Sequence, residues 1–315
     1  MTLTSTVQPK VNRRDFLKML GAVGAYAFLP MDIGQIVPPA SPSWVNIPPS
    51  LMLHSPDGTP DFLPQLLEYL QQDGFTATTY KTWYHGLLTN NPILNPLILS
   101  IDDISLAQAG CASFGRFVQM KDWIKAAGGT AVFGVITEPV INGQPQRAQD
   151  EARWDMMQTW IEEGFELATH TSYHSNFNAM DTGPRPDFRA IDYEAEIVRS
   201  AHLIETKLSE RQIDYKVETL IMPYGSGYSY QLPEPAIHSG ILDACQQTNI
   251  KFVVGIVEGR EPLARELFDA PQAVPYVGRL PPAYLTDADG QRQPLAEQTA
   301  SWLRSWRDNY YRSAA

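Results

Sequence analysis

From Leu51 onward, short apolar runs alternate with amphipathic stretches, and this alternation limits the possible folds more than any other feature. The apolar runs read as strands at Leu51–His54, Leu97–Ile101, Ala131–Ile136, Glu166–Thr169, Thr219–Met222, Phe252–Val257 and Ala273–Val277. Helices fit between them at Phe62–Gln72, Phe114–Ala127, Ala152–Glu163, Tyr193–Ser209 and Pro235–Gln247, and a last one covers Leu295–Asn309. Gly74 and Gly128-Gly129 stand where a helix stop is expected. Strand–helix alternation implies a parallel sheet covered by helices. About seven such units in one row favour an α/β barrel over an open sheet. There is no internal repeat and no low-complexity segment.

The N-terminus reads as an address. Asn12-Arg13-Arg14-Asp15-Phe16-Leu17-Lys18 is followed by a Gly- and Ala-rich apolar stretch, Met19 to Pro30, with a small-x-small site at Ala25-Tyr26-Ala27. Arg13-Arg14 before Phe16-Leu17-Lys18 resembles the twin-arginine signal. A basic amphipathic helix of a cytosolic protein is the alternative. The apolar stretch is short for a bilayer span, which needs ~20 residues. No later run reaches that length, so no stable membrane span is expected after signal cleavage. The chain thus divides into a signal segment (1–30), a Pro-rich linker (31–50), a barrel domain (51–285) and a C-terminal helix (286–315). The expected location is periplasmic or extracellular.

Composition excludes several partners. The net charge is −11, and there is no Lys/Arg run outside the N-terminus, so nucleic acid is not an expected partner. Two cysteines, Cys111 and Cys245, exclude a disulfide scaffold and read as buried thiols.

In such barrels, catalytic groups gather where strands end. Three strand ends stand out. Leu97–Ile101 stops at Asp102-Asp103, two carboxylates that an extended chain points to opposite sides. Acidic turns and helix caps give the same pair. Glu166–Thr169 runs into His170-Thr171-Ser172-Tyr173-His174, two imidazoles four residues apart, a spacing that also arises by accident in polar loops. Together, one Asp and two His make a facial set of N/O ligands with open positions for water and substrate. A metal there would lower the pKa of bound water toward ~7, and the spare Asp could take its proton. The third strand end, Ile221-Met222-Pro223-Tyr224-Gly225-Ser226-Gly227, is Gly-rich, and a backbone N–H in it could stabilise an oxyanion.

In this order the three segments resemble the polysaccharide deacetylase (NodB-homology, carbohydrate esterase family 4) domain. Its Thr-Phe-Asp-Asp-Gly motif corresponds to Ser100-Ile101-Asp102-Asp103-Ile104. Its His-Ser/Thr-x-x-His motif corresponds to His170–His174, and its Arg-x-Pro-Tyr/Phe-Gly motif to Ile221–Gly225. Met52-Leu53-His54 and the segment to Gly74-Phe75 are similar to the poly-N-acetylglucosamine deacetylase branch. The resemblance covers roughly Leu51 to Leu280 and implies a distorted (β/α) barrel. It also implies a divalent metal, Zn²⁺ first, on Asp103, His170 and His174. Asp102 would be the general base and the Tyr224 backbone N–H an oxyanion donor, with Pro223, Gly225 and Tyr173 against the substrate. The implied substrate is an acetylated glycan, which loses N- or O-acetyl groups to metal-activated water. Trp83, Tyr84, Tyr173, Tyr228 and Tyr230 are candidate sugar-stacking faces.

The chain departs from this pattern in places. Ile104 replaces the motif glycine, and Ile221 replaces the arginine that orients the catalytic Asp. The late Leu-x-His motif that supplies the general acid is missing. No histidine follows His238, which falls in an expected helix, and Arg279-Leu280 ends the last strand instead. His54 and His85 are the possible substitutes. Two alternatives therefore stand beside the deacetylase: a silent glycan-binding relative, and a metal-dependent hydrolase of small amides on the same fold.

Overall fold

The structure is a computed structural model, and it describes residues 48–89, 91–106, 114–141, 144–145, 151–177, 191–229, 236–256, 276–287 and 289–312. In chain order these form β1 (Ser50–Leu53), α1 (Leu63–Gln72), β2 (Thr76–Thr78), α2 (Tyr80–Leu88), β3 (Pro96–Ser105), α3 (Phe114–Ala126), β4 (Val132–Ile136) and α4 (Glu151–Glu162). Next come β5 (Glu166–Thr169), a π-helical turn (Glu194–Val198) continuing into α5 (Arg199–Ser209), β6 (Thr219–Ile221), α6 (Ser239–Gln246), β7 (Phe252–Ile256) and β8 (Tyr276–Arg279). A hairpin of β9 (Tyr284–Thr286) and β10 (Arg292–Pro294) leads into α7 (Ala296–Arg312).

Seven parallel strands run in the order β1-β3-β4-β5-β6-β7-β8, and β2 pairs with the start of β3. Leu280 closes the ring: its N–H donates to Ser50 O (3.0 Å), and its carbonyl accepts from Met52 N–H (2.8 Å). The architecture is thus the α/β barrel expected from the alternation. The barrel is uneven. β5 and β6 share only the pair Thr169 and Leu220, and β3 slips register against β4 between Ile101 and Ile104.

Apolar burial drives both layers. Between barrel and helices lies a large core that includes Phe62, Leu66, Phe117, Phe133, Trp154, Trp160 and Ile204. Inside the barrel lies a second core of Tyr80, Trp83, Ile98, Val132, Ala168, Ile221, Phe252, Val254 and Val277. Its aromatic members come largely from α2, which crosses the N-terminal end of the barrel. The Lys81 N–H donates to Glu166 at the start of β5 (3.0 Å), and Lys81 Nζ pairs with Glu218 beside β6 (3.1 Å). With that end plugged, the open mouth is at the strands' C-terminal ends.

Several expectations shift. β2 and α2 lie in a stretch without expected elements. The helix expected from Pro235 begins at Ser239, because Ala236–Ile237 pair with Tyr228–Ser229; His238 caps the helix rather than lying inside it. Trp83 is packed into the barrel interior and offers no sugar face. Cys245 is a buried thiol, while Cys111 and Tyr230 lie outside the described residues. No helix among the described residues is long and apolar enough to cross a membrane.

Candidate metal centre

The slip in β3 falls on the two adjacent acids. A bulge bends a strand and re-aims its side chains, and Asp103 takes the left-handed conformation (φ 67°). Asp102 is left buried, 2% exposed, while Asp103 reaches the mouth. There its Oδ1 meets His170 Nε2 at 3.2 Å and His174 Nε2 at 3.0 Å. One donor atom from each of the three side chains lies within 4.8 Å of the others.

The segment after β5 is shaped to present both imidazoles. Thr171 (φ 67°) and His174 (φ 60°) are left-handed, and the His174 N–H donates to Thr171 Oγ1 (3.0 Å). Between the two histidines, Ser172 and Tyr173 turn toward the π-turn. Ser172 Oγ donates to Ala195 O (2.7 Å), and the Tyr173 N–H donates to Glu196 (2.9 Å). The Tyr173 hydroxyl accepts from Arg199 (3.0 Å), which ties this ring's polar end to α5. Gly134 of β4 permits the close approach beneath. A Cβ there would meet Ile221 at 3.3 Å and His170 Cβ at 3.4 Å.

The donor chemistry fits a cation. His170 Nδ1 lies 2.8 Å from Ile221 O, and a carbonyl only accepts, so Nδ1 carries the proton. In the neutral imidazole Nε2 then turns a lone pair toward the Asp103 carboxylate, and a cation between the two acceptors satisfies both. Metal–ligand bonds of ~2.0–2.2 Å place neighbouring donors about 3–3.5 Å apart, and Asp103 Oδ1 lies 3.2 and 3.0 Å from the two imidazole nitrogens.

Asp102 has a partner the motifs did not indicate. Arg279, fully buried at the end of β8, donates from Nη1 to Asp102 Oδ1 (2.7 Å) and to Ser100 Oγ (2.6 Å). Ser100 Oγ in turn donates to Asp102 Oδ1 (3.1 Å). Burial pushes the Asp102 carboxyl up, but the Arg279 guanidinium dominates the opposing charges and the net shift is downward. Ile221, at the position of the missing motif arginine, is instead part of the barrel's apolar interior. The sequence signal for Arg279 is a charged residue closing an apolar strand, since arginine is almost never fully buried unless paired.

The histidines proposed as substitutes separate. His85 pairs with Glu218 (3.0 Å) at the plugged end, away from the mouth. His54, following β1, places Nε2 3.9 Å from Asp103 Oδ2. Its N–H donates to Asp57 Oδ2 (2.8 Å), and Tyr284 Oη donates to Asp57 Oδ1 (2.8 Å). At the third strand end, Pro223 is buried, Tyr224 is left-handed (φ 58°) and Gly225 follows at φ 63°. The Tyr224 ring is 62% exposed and lies 4.8 Å from the His174 ring.

Residues 10–30 match the family model of the TAT (twin-arginine translocation) pathway signal sequence. No curated protein matches the chain. Among solved structures, it is similar to the Streptococcus pyogenes deacetylase PplD in complex with acetate, at 17% identity and TM-score 0.50, over 74% of this chain and 91% of that one. A de-N-acetylase from Aggregatibacter actinomycetemcomitans matches at 17% identity and TM-score 0.46, over 74% and 93%. The BpsB deacetylase domain from Bordetella bronchiseptica matches at 14% identity and TM-score 0.47, over 74% and 96%. The chain thus joins a twin-arginine signal sequence to a barrel with the fold of PplD.

Proposed function

We propose that this chain is a metal-dependent deacetylase, exported by the twin-arginine route, that hydrolyses acetyl groups of a glycan. One observation carries the reading: Asp103, His170 and His174 converge at the barrel mouth beside a buried, arginine-paired Asp102. The fold shared with a deacetylase solved with acetate supports it.

Asp103, His170 and His174 would hold a divalent metal, with Zn²⁺ best suited to two imidazoles and a carboxylate. Such an ion supplies, when bound, polarisation of the acyl oxygen and acidification of water. The protein's own groups do the rest. Asp102 carries its described partners on Oδ1 and takes the proton of the attacking water on Oδ2. The Tyr224 N–H holds the developing oxyanion. Pro223 and Gly225 fix that turn, and the exposed Tyr224 ring offers a sugar a stacking face. Tyr173 acts on substrate only indirectly, through the loop it anchors to α5.

His54 gives the proton to the departing group. An amide needs this more than an ester does, because an unprotonated amine is a poor leaving group, so the arrangement favours N-acetyl substrates. Arg279 on Asp102 and His54 near Asp103 supply what the absent motif residues would have supplied, and they support turnover over silent binding. The test is acetate release from a panel of N- and O-acetylated glycans, with chelator and with metal restored. Chelator-sensitive release is expected, and release that chelator leaves untouched would overturn the reading.

A further inference from the structure

We infer that Tyr284, on the hairpin after the barrel, is a positioning residue for protonation of the leaving group, acting through Asp57 on His54. The inference rests on the deacetylase reading and on His54 as the acid.

Asp57 is a carboxylate buried to 2% exposure among groups that fix its rotation. Tyr284 Oη donates to Oδ1 at 2.8 Å, and the His54 backbone N–H donates to Oδ2 at 2.8 Å. The same Oδ2 lies 3.9 Å from His54 Nδ1, so the charge backs the imidazole edge opposite Nε2. Nε2 faces the Asp103, His170 and His174 cluster, 3.9 Å from Asp103 Oδ2. The line therefore runs from the hairpin, through one buried carboxylate, to the imidazole at the mouth. Tyr284 is itself held in place, with the Arg292 guanidinium 4.2 Å over its ring from the paired strand β10.

Without the Tyr284 hydroxyl, Asp57 Oδ1 loses its described donor, and a buried acceptor without one is costly. The carboxylate then turns, or takes up a proton, and no longer backs His54. Arg279, five residues earlier, ties down Asp102, so the segment leaving β8 steadies both proton-handling groups.

The test compares two leaving groups in the full chain loaded with Zn²⁺. One substrate set is N-acetylglucosamine oligomers in β-1,4 and β-1,6 linkage, whose amine must be protonated. The other is 4-nitrophenyl acetate, whose phenolate departs without a proton. Tyr284→Phe is expected to lower kcat on the oligomers by about 10–100-fold, the range for groups that orient a site residue, with KM little changed and a far smaller fall on the ester. Asp57→Asn is expected to show the same split. Equal losses on both substrates, or no loss on either, would overturn the inference while leaving the deacetylase reading intact. A wild-type chain that cleaves the ester but releases no acetate from any oligomer would overturn the N-deacetylase reading, and this inference with it.

Discussion

Arg279 and Asp102 form a salt bridge with almost no access to solvent, 2.7 Å apart, on two strands that lie far apart in sequence. Breaking such a pair from one side leaves an uncompensated charge and costs about 3–5 kcal/mol. Arg279→Met is therefore expected to lower unfolding free energy by that amount in denaturant titration, and Arg279→Lys by less. The sign with pH follows from the depressed Asp102 carboxyl. Its contribution is present above the ordinary value of 3.8 and is lost as pH falls below that, through the folded value. Thermal melting should show this acid-side loss in the wild type, and Arg279→Met should lack it. Strain gathers at the same place. Asp103, Thr171, His174 and Tyr224 all have positive φ without being glycine, a costly conformation that clusters at functional sites. At this scale, Asp102, Asp103, His170 and His174 were legible because each lies in a short local motif at a strand end. Arg279, Asp57 and Tyr284 were not. Arg279 meets its carboxylate across 177 positions and Tyr284 across 227, so only closure of the barrel brings them together.

The elements that carry the site are tight turns rather than regular structure. In the turn after β6, Gly225 sits at φ 63°, and an added Cβ would lie 2.8 Å from Ile256 Cβ and 3.0 Å from its backbone N. Gly225→Ala is expected to destabilise the fold by about 1–3 kcal/mol and to depress acetate release further by shifting the Tyr224 N–H. Melting temperature and kcat on the same samples check this. The barrel strands were readable because strands covered on both faces run continuously apolar. Helix α2 was not read, although Tyr80, Trp83, Tyr84 and Leu87 recur at helical spacing. Its threonine and aromatic content disguises a helix whose apolar face fills the barrel rather than the outer layer. The π-turn at Glu194–Val198 has no sequence signature of its own; it accepts Ser172, which holds the histidine loop.

The whole molecule couples an export signal to a site that exists only after folding. Asp103 and His170 are 67 positions apart, on β3 and after β5, and the ring closes only when Leu280 pairs with Ser50 and Met52. A route that carries folded proteins suits such a site. Replacing Arg13 and Arg14 together with lysine is expected to retain the folded protein in the cytoplasm, and cell fractionation measures this. Metal binding that stabilises only the folded barrel raises its melting temperature with metal concentration, so chelation is expected to lower it. The most direct measurement sets bound metal beside acetate release in the wild type, Asp102→Asn and His174→Ala. Asp102→Asn is expected to keep its metal and lose about 10²–10⁴-fold in turnover, and His174→Ala to lose both. Full turnover in Asp102→Asn, or undiminished metal in His174→Ala, would contradict the account.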